Sequence, residues 1–198
     1  MLPISRAADS ATPLFLGQPW SETPEAGFQP AAVQFHWSDT ALHVRAILTD
    51  AHIFTTATEH NQSLFALGDT FEVFLMLPDA PEYFELHVSP LNHRAFMRWP
   101  LGGIAEVHAH QRALADFRET PEAFASEVRR TAGGWEIDVD VPSTVLGVEK
   151  FVAGKQIHVS ICRYDYSSLE MRPVLSTIAR HEVKNFHRTE DWLPAELV

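Results

Sequence analysis

The chain is expected to be all-β, an antiparallel two-sheet sandwich of immunoglobulin or jelly-roll type. Three observations lead there. Short runs with strict two-residue alternation recur along the 198 residues, turn residues separate them, and only residues 61–67 and 110–117 hint at helix. The strongest signal runs from Gly68 to Trp99, GDTFEVFLMLPDAPEYFELHVSPLNHRAFMRW, which registers against itself as three antiparallel strands.

The elements follow in order. Val33, Phe35 and Trp37 alternate with polar partners, Ser38-Asp39-Thr40 makes a turn, and Leu42, Val44, Ala46 and Leu48 continue the same face, as in a hairpin. Within the central stretch, Pro78-Asp79-Ala80-Pro81 breaks the first pair of strands, and Ser89-Pro90-Leu91-Asn92 has the composition of a type I turn. Closing both turns pairs Glu72 with His87, Phe74 with Glu85 and Met76 with Tyr83. It then pairs His87 with Arg94, Glu85 with Phe96 and Tyr83 with Arg98. The opposite face reads Phe71, Val73, Leu75, Phe84, Leu86, Val88, Ala95, Met97 and Trp99, and is assigned to the core. Residues 127–131 meet residues 135–141 across Gly133-Gly134, with Trp135, Ile137, Val139 and Val141 inward and three acids outward. Residues 142–147 suit one helical turn. Residues 156–164 read as an interior strand, with Ile157, Val159 and Ile161 alternating with small or aromatic partners. Trp37, Trp99 and Trp135 are therefore expected in or near the core.

Composition narrows the function. The chain has a mass of 22.3 kDa and 45% hydrophobic residues, which suits one domain spanning residues 1–198. Fifteen basic and 26 acidic residues give a formal charge of −11, which argues against a nucleic-acid partner because counterion release needs basic groups. No stretch is apolar and long enough to cross a membrane, and no signal peptide is visible. The single cysteine, Cys162, has no internal partner. This fits the cytoplasm and is equally compatible with export of a disulfide-free domain.

The motifs of common enzymes are missing. Arg180-His-Glu-Val-Lys-Asn-Phe-His187 falls short of a metalloprotease helix, because Asn185 stands where the second histidine is needed. His108-Ala-His110 lacks a carboxylate or cysteine at fixed spacing, so no metal site and no cofactor are expected. Asn61-Gln-Ser63 is a formal glycosylation sequon. Glu72 and Glu85 on neighbouring strands could supply the two carboxylates of a glycosidase. The bland alternative is that charged cross-strand pairs simply stabilise a solvated face, each by roughly 0.2–1 kcal/mol.

Trp37 with Leu42-His-Val-Arg-Ala46, Gly68-Asp-Thr-Phe-Glu-Val-Phe-Leu75, Tyr83-Phe-Glu-Leu-His-Val-Ser-Pro90, Gly134-Trp-Glu-Ile-Asp-Val-Asp-Val-Pro142 and the closing Asp191-Trp-Leu-Pro-Ala-Glu-Leu197 together resemble the family-9 carbohydrate-binding modules. More broadly, the chain is similar to the DOMON-like β-sandwiches. The resemblance implies non-catalytic, weak binding of a carbohydrate or similar polyol, with Glu72, Glu85 and His87 on the family's polar strand positions. Where that family clamps sugar between two tryptophans, this chain has Phe65 beside Ala66 and Phe186-His187. The expected ligand face thus carries Glu72, Glu85, His87, Arg94 and Arg98, rimmed by Phe65, Phe186 and His187. A binding module without catalytic residues is expected. The alternatives are a glycan-processing hydrolase using the same carboxylates, a protein-interaction module, or a haem binder with Met76 or Met97 as a ligand. Sequence leaves the oligomeric state open.

Overall fold

The computed structural model describes residues 1–167 and 170–198. Its strands are β1 (Leu2–Ile4), β2 (Leu14–Phe15), β3 (Ala31–Trp37), β4 (Ala41–Thr49), β5 (Thr70–Met76), β6 (Glu82–Val88), β7 (Arg94–Pro100), β8 (Ala125–Thr131), β9 (Gly134–Pro142), β10 (Gln156–Asp165), β11 (Val174–Thr177) and β12 (Leu193–Leu197). One sheet has the order β1-β12-β10-β5-β6-β7, with β11 also paired to β10. The other has the order β2-β3-β4-β9-β8. All pairs are antiparallel except β1 with β12. The all-β sandwich expected from alternation is the fold.

The inner faces meet in one core. Val33, Phe35, Trp37, Leu42, Val44, Trp135, Ile137 and Val139 come from one sheet, and Phe71, Val73, Leu75, Leu86, Val88, Val159 and Ile161 from the other. Alternation dictates this, because in-facing side chains occur at every second residue. Gly134 joins β8 to β9 at a positive φ of 149°, and a Cβ there would stand 1.9 Å from the Leu48 carbonyl oxygen. Ser143–Leu146 forms the expected helical turn, as a 3-10 turn closed by Gly147. The two helix-like stretches shrink to 3-10 turns at Leu64–Ala66 and Leu114–Phe117. A short helix not foreseen, α1 (Gly103–His108), follows β7.

The first sheet is buried on both faces. Its outer face carries a second cluster of Phe74, Met76, Tyr83, Ala95, Met97 and Trp99. Ile104 and Val107 of α1, together with Phe117, Phe186 and Trp192, pack over it. The expected pairing of β5 with β6 is observed, Glu72 opposite His87 and Phe74 opposite Glu85. The expected pairing of β6 with β7 is one residue out: His87 faces Ala95, Glu85 faces Met97 and Tyr83 faces Trp99.

The turn explains the slip. The Asn92 amide does donate to the Ser89 carbonyl, at 2.8 Å, as the type I turn requires. Asn92 itself is left-handed at φ 60°, and the strands close only at Ser89 N–H to His93 O, 2.9 Å. This is the three-residue hairpin loop with a left-handed residue after the turn, and it adds one position to β7. Every side chain of β7 therefore changes face. Trp99 and Met97 leave the sandwich core for the outer cluster, and Phe96 takes their place. Asn92→Val would put a β-branched residue at positive φ and remove the Asn92 bonds to Ser126. Urea unfolding should show a loss of about 1–3 kcal/mol. Unchanged stability would mean that the loop is not held by this conformation.

Candidate functional site

The outer face of the first sheet holds a cavity of about 500 Å³. Glu72 and Phe74 reach it from β5, Glu85 from β6, Trp99 from β7 and Tyr164 from β10. Phe65, Ile104, Val107, Leu114 and the segment from Asn185 to His187 wall it in. That size and a mostly apolar lining with a few convergent polar groups are the marks of a small-molecule site.

The Gly68-Asp69 pair sets the start of β5. A Cβ on Gly68 would lie 2.4 Å from the Phe54 carbonyl oxygen, so only glycine lets the two chains approach this closely. Asp69 then accepts from the backbone N–H groups of Phe54 at 2.5 Å and Tyr166 at 2.7 Å, which ties two loops to the strand. Among the described residues Asp69 also belongs to one of two acidic groups able to hold a metal ion, with Asp50 and Asp165. Arg163 is already placed in that group, its Nη2 3.2 Å from Asp50 and 2.9 Å from Asp165. Burial, only partly offset by the two backbone bonds, pushes the Asp69 carboxyl up to about 8.

The other acidic group is Glu72, Glu85 and His87, all buried. His87 Nε2 stands between the two carboxylates, 2.7 Å from Glu85 Oε1 and 3.1 Å from Glu72 Oε1. Glu85 has a second donor, Trp99 Nε1 at 2.6 Å. Burial alone would raise the Glu85 carboxyl, but His187, His87 and these two hydrogen bonds hold it below the usual range. His87 is pulled the other way: burial favours the neutral ring, yet the two carboxylates raise its pKa above the ordinary value. Glu72 receives only the longer approach from His87. Burial, with Glu85 adding to it, pushes Glu72 up to about 8. The result is a Glu85–His87 ion pair with a neutral Glu72 carboxyl beside it, which both donates and accepts.

Burial lowers the pKa of His187, while the Glu85 carboxylate works against that fall. Burial raises Tyr83, so its hydroxyl stays protonated, and it shares a 2.7 Å hydrogen bond with His187 Nδ1. Tyr164 is likewise kept protonated by burial and by the nearby carboxylates. Phe65 stands edge-on to His87, with ring centroids 6.1 Å apart, and 5.9 Å from Tyr164. Phe186 meets Tyr164 edge-on at 5.7 Å.

The structure thus brings together Glu72, Glu85, Phe65, Phe186 and His187 around one cavity, with His87 linking the two carboxylates. Arg94 and Arg98 are not there. The extra loop residue turns both to the other face, where Arg94 donates to the Phe124 carbonyl and lies over its ring, and Arg98 forms two bonds with Glu82. The reading of this face as a solvated ladder of charge pairs also fails, because Glu72, Glu85 and His87 are 1%, 4% and 1% exposed. Tyr164 and Trp99 were missed as site residues. Tyr164 was signalled by the aromatic partner alternating with Ile161, whereas nothing in the sequence signalled α1.

The coupled pH behaviour of this group is measurable. Glu72 binds its proton more tightly folded than unfolded, so between about 4.5 and about 8 the folded state holds more protons and stability falls as pH rises. His87, also raised, adds to that fall above its unfolded value of 6.5. Chemical unfolding from pH 5 to 8 should show this decline, and Glu72→Gln should make it shallower without abolishing it, because Asp69, also raised to about 8, contributes a fall of the same sign. Glu85→Ala, which strands His87 and Trp99, should cost about 3–5 kcal/mol at pH 6. A decline that Glu72→Gln leaves intact would place the titrating group elsewhere.

No family model matches the sequence, and no curated protein matches it. Solved structures do. A protein of Bacteroides uniformis ATCC 8492, described as a "putative carbohydrate-binding protein", superposes with a TM-score of 0.74 at 10% identity, covering 96% of this chain and 88% of that one. A family-9 carbohydrate-binding module of Caldicellulosiruptor kristjanssonii in complex with cellotriose gives a TM-score of 0.68 at 13% identity, over 99% of this chain and 92% of that one. A structure of a module of the same family and organism in complex with glucose gives 0.70 at 11%, over 100% and 95%. The chain has the fold of the family-9 carbohydrate-binding modules.

Proposed function

We propose that the protein binds a carbohydrate, or a polyol like it, in the cavity floored by Glu72, without catalysing its conversion. The observation that carries this reading is the Glu72 carboxyl. It is buried at a cavity wall, and its 3.1 Å approach to His87 is longer than the 2.7 Å that His87 makes to Glu85. A buried carboxyl so poorly paired is costly unless a ligand supplies partners. Sugar hydroxyls are such partners, and the rings of Phe65, Phe74, Tyr164 and Phe186 can cover the apolar C–H face of a pyranose. The fold shared with modules bound to glucose and cellotriose favours the same ligand chemistry.

A second reading has one observation in its favour. Glu72 and Glu85 are neighbouring carboxyls whose surroundings drive their proton affinities apart, as an acid and its partner require. Against it, Glu85 is fixed by His87 and Trp99.

Calorimetric titration with glucose and cello-oligosaccharides should give saturable binding between about a millimolar and tens of micromolar (about −4 to −6 kcal/mol). Glu72→Ala should abolish it and Phe65→Ala should weaken it several-fold, while Arg98→Ala leaves it unchanged. Binding that survives Glu72→Ala would refute the assignment. Sugar turnover lost in Glu72→Ala would establish the hydrolase reading instead.

A further inference from the structure

On the solvent face of the second sheet, three potential ligands stand in one row across adjacent strands. His36 of β3 is opposite His43 of β4, and His43 is opposite Asp140 of β9. The two imidazoles stack with ring centroids 4.4 Å apart and planes 13° from parallel. His43 Nδ1 lies 2.6 Å from Asp140 Oδ1, and its Nε2 lies 3.1 Å from Ser38 Oγ. A carboxylate only accepts, so Nδ1 carries the ring proton and Nε2 presents its lone pair to the serine hydroxyl.

We propose that His36 and His43 form a surface site for a divalent transition metal ion, with Asp140 orienting His43. Two imidazoles are a donor set favoured by Cu²⁺, Ni²⁺ and Zn²⁺. Directly opposed residues of antiparallel strands bring their Cβ atoms to about 4.5–5.5 Å, so with His43 held by Asp140 the His36 ring must turn out of the stack about its side-chain bonds to aim a second lone pair at an ion about 2.0–2.1 Å from each nitrogen. Donation of the second ring N–H to a carboxylate is the arrangement that fixes the tautomer and strengthens a histidine ligand. The serine, histidine and aspartate also follow the order of a hydrolase triad. Ser38 Oγ, however, is engaged in its own hairpin, accepting from the Ala41 N–H at 3.2 Å, so the available group is the imidazole lone pair. Ser38 Oγ stands on the Nε2 lone pair, so a bound ion displaces it from His43 and from the Ala41 N–H, and water completes the coordination.

The test is calorimetric titration of the full chain with Cu²⁺ and with Zn²⁺ in a non-chelating buffer at neutral pH, with circular dichroism to confirm that each variant is folded. One ion should bind saturably per chain, Cu²⁺ more tightly than Zn²⁺. His36→Ala and His43→Ala should each weaken binding at least tenfold, and Asp140→Asn by about 10–100-fold. His108→Ala and His110→Ala should leave it unchanged. No saturable binding up to about a millimolar (the weakest affinity worth the name), or binding that persists in both His36→Ala and His43→Ala, would overturn the proposal.

Discussion

The imidazolium of His87, shared unequally between two buried carboxyls, is the interaction on which the candidate site depends. Its shorter bond goes to Glu85, at 2.7 Å against 3.1 Å for Glu72, and the Trp99 indole reinforces the same choice. That asymmetry splits two chemically equivalent side chains into a fixed anion and a neutral acid. Burial supplies the force behind the split, because two charged carboxylates flanking a single cation in a desolvated space would leave one charge uncompensated. The structural role falls to Glu85, which leaves Glu72 as the group able to answer to a ligand.

Why the group is buried at all follows from the layers outside the sheet. A two-layer sandwich ordinarily leaves its outer faces to water, yet here α1, Phe117, Phe186 and Trp192 form a partial third layer over β5, β6 and β7. Aromatic side chains dominate this layer, and their bulk holds it far enough from the strands to leave a cavity of about 500 Å³. The single slip between β6 and β7 matters for the same reason. It delivers Trp99 to this face, where its indole N–H satisfies Glu85, and it sends two arginines away. With Arg94 and Arg98 in the cavity both carboxylates would be ionised, and the acid–anion pair would not exist.

Much of this was legible in the sequence. Alternation placed Val33, Trp37, Phe71, Leu86, Trp135 and Ile161 in the core because the period of two holds wherever a strand is paired. The pairing of Glu72 with His87 was legible because closing the chain at Pro78–Pro81 sets it, with Phe71, Val73, Leu86 and Val88 kept on one face. The next pairing was not, since Phe96 and Met97 are both large and apolar and either could face the core. The decision lay in the backbone of Asn92, whose left-handed conformation composition permits and does not require. Burial of the polar face was hidden for another reason: the family resemblance supplied the rim at Phe65 and Phe186, but α1 and Phe117, which help close the layer over the sheet, carry no pattern that points to this face. Proximity of that kind is set by the fold as a whole.

Glu72 is the neutral carboxyl and Glu85 the anion, and a carbon-detected NMR titration of glutamate side-chain carboxyls, assigned with Glu72→Gln and Glu85→Gln, tests that assignment directly. Glu72 should titrate near 8 and Glu85 below its ordinary value, and glucose or a cello-oligosaccharide should move the Glu72 resonance more than any other carboxyl. A Glu72 that titrates near 4.5, or one that stays still while ligand saturates the protein, would contradict the account.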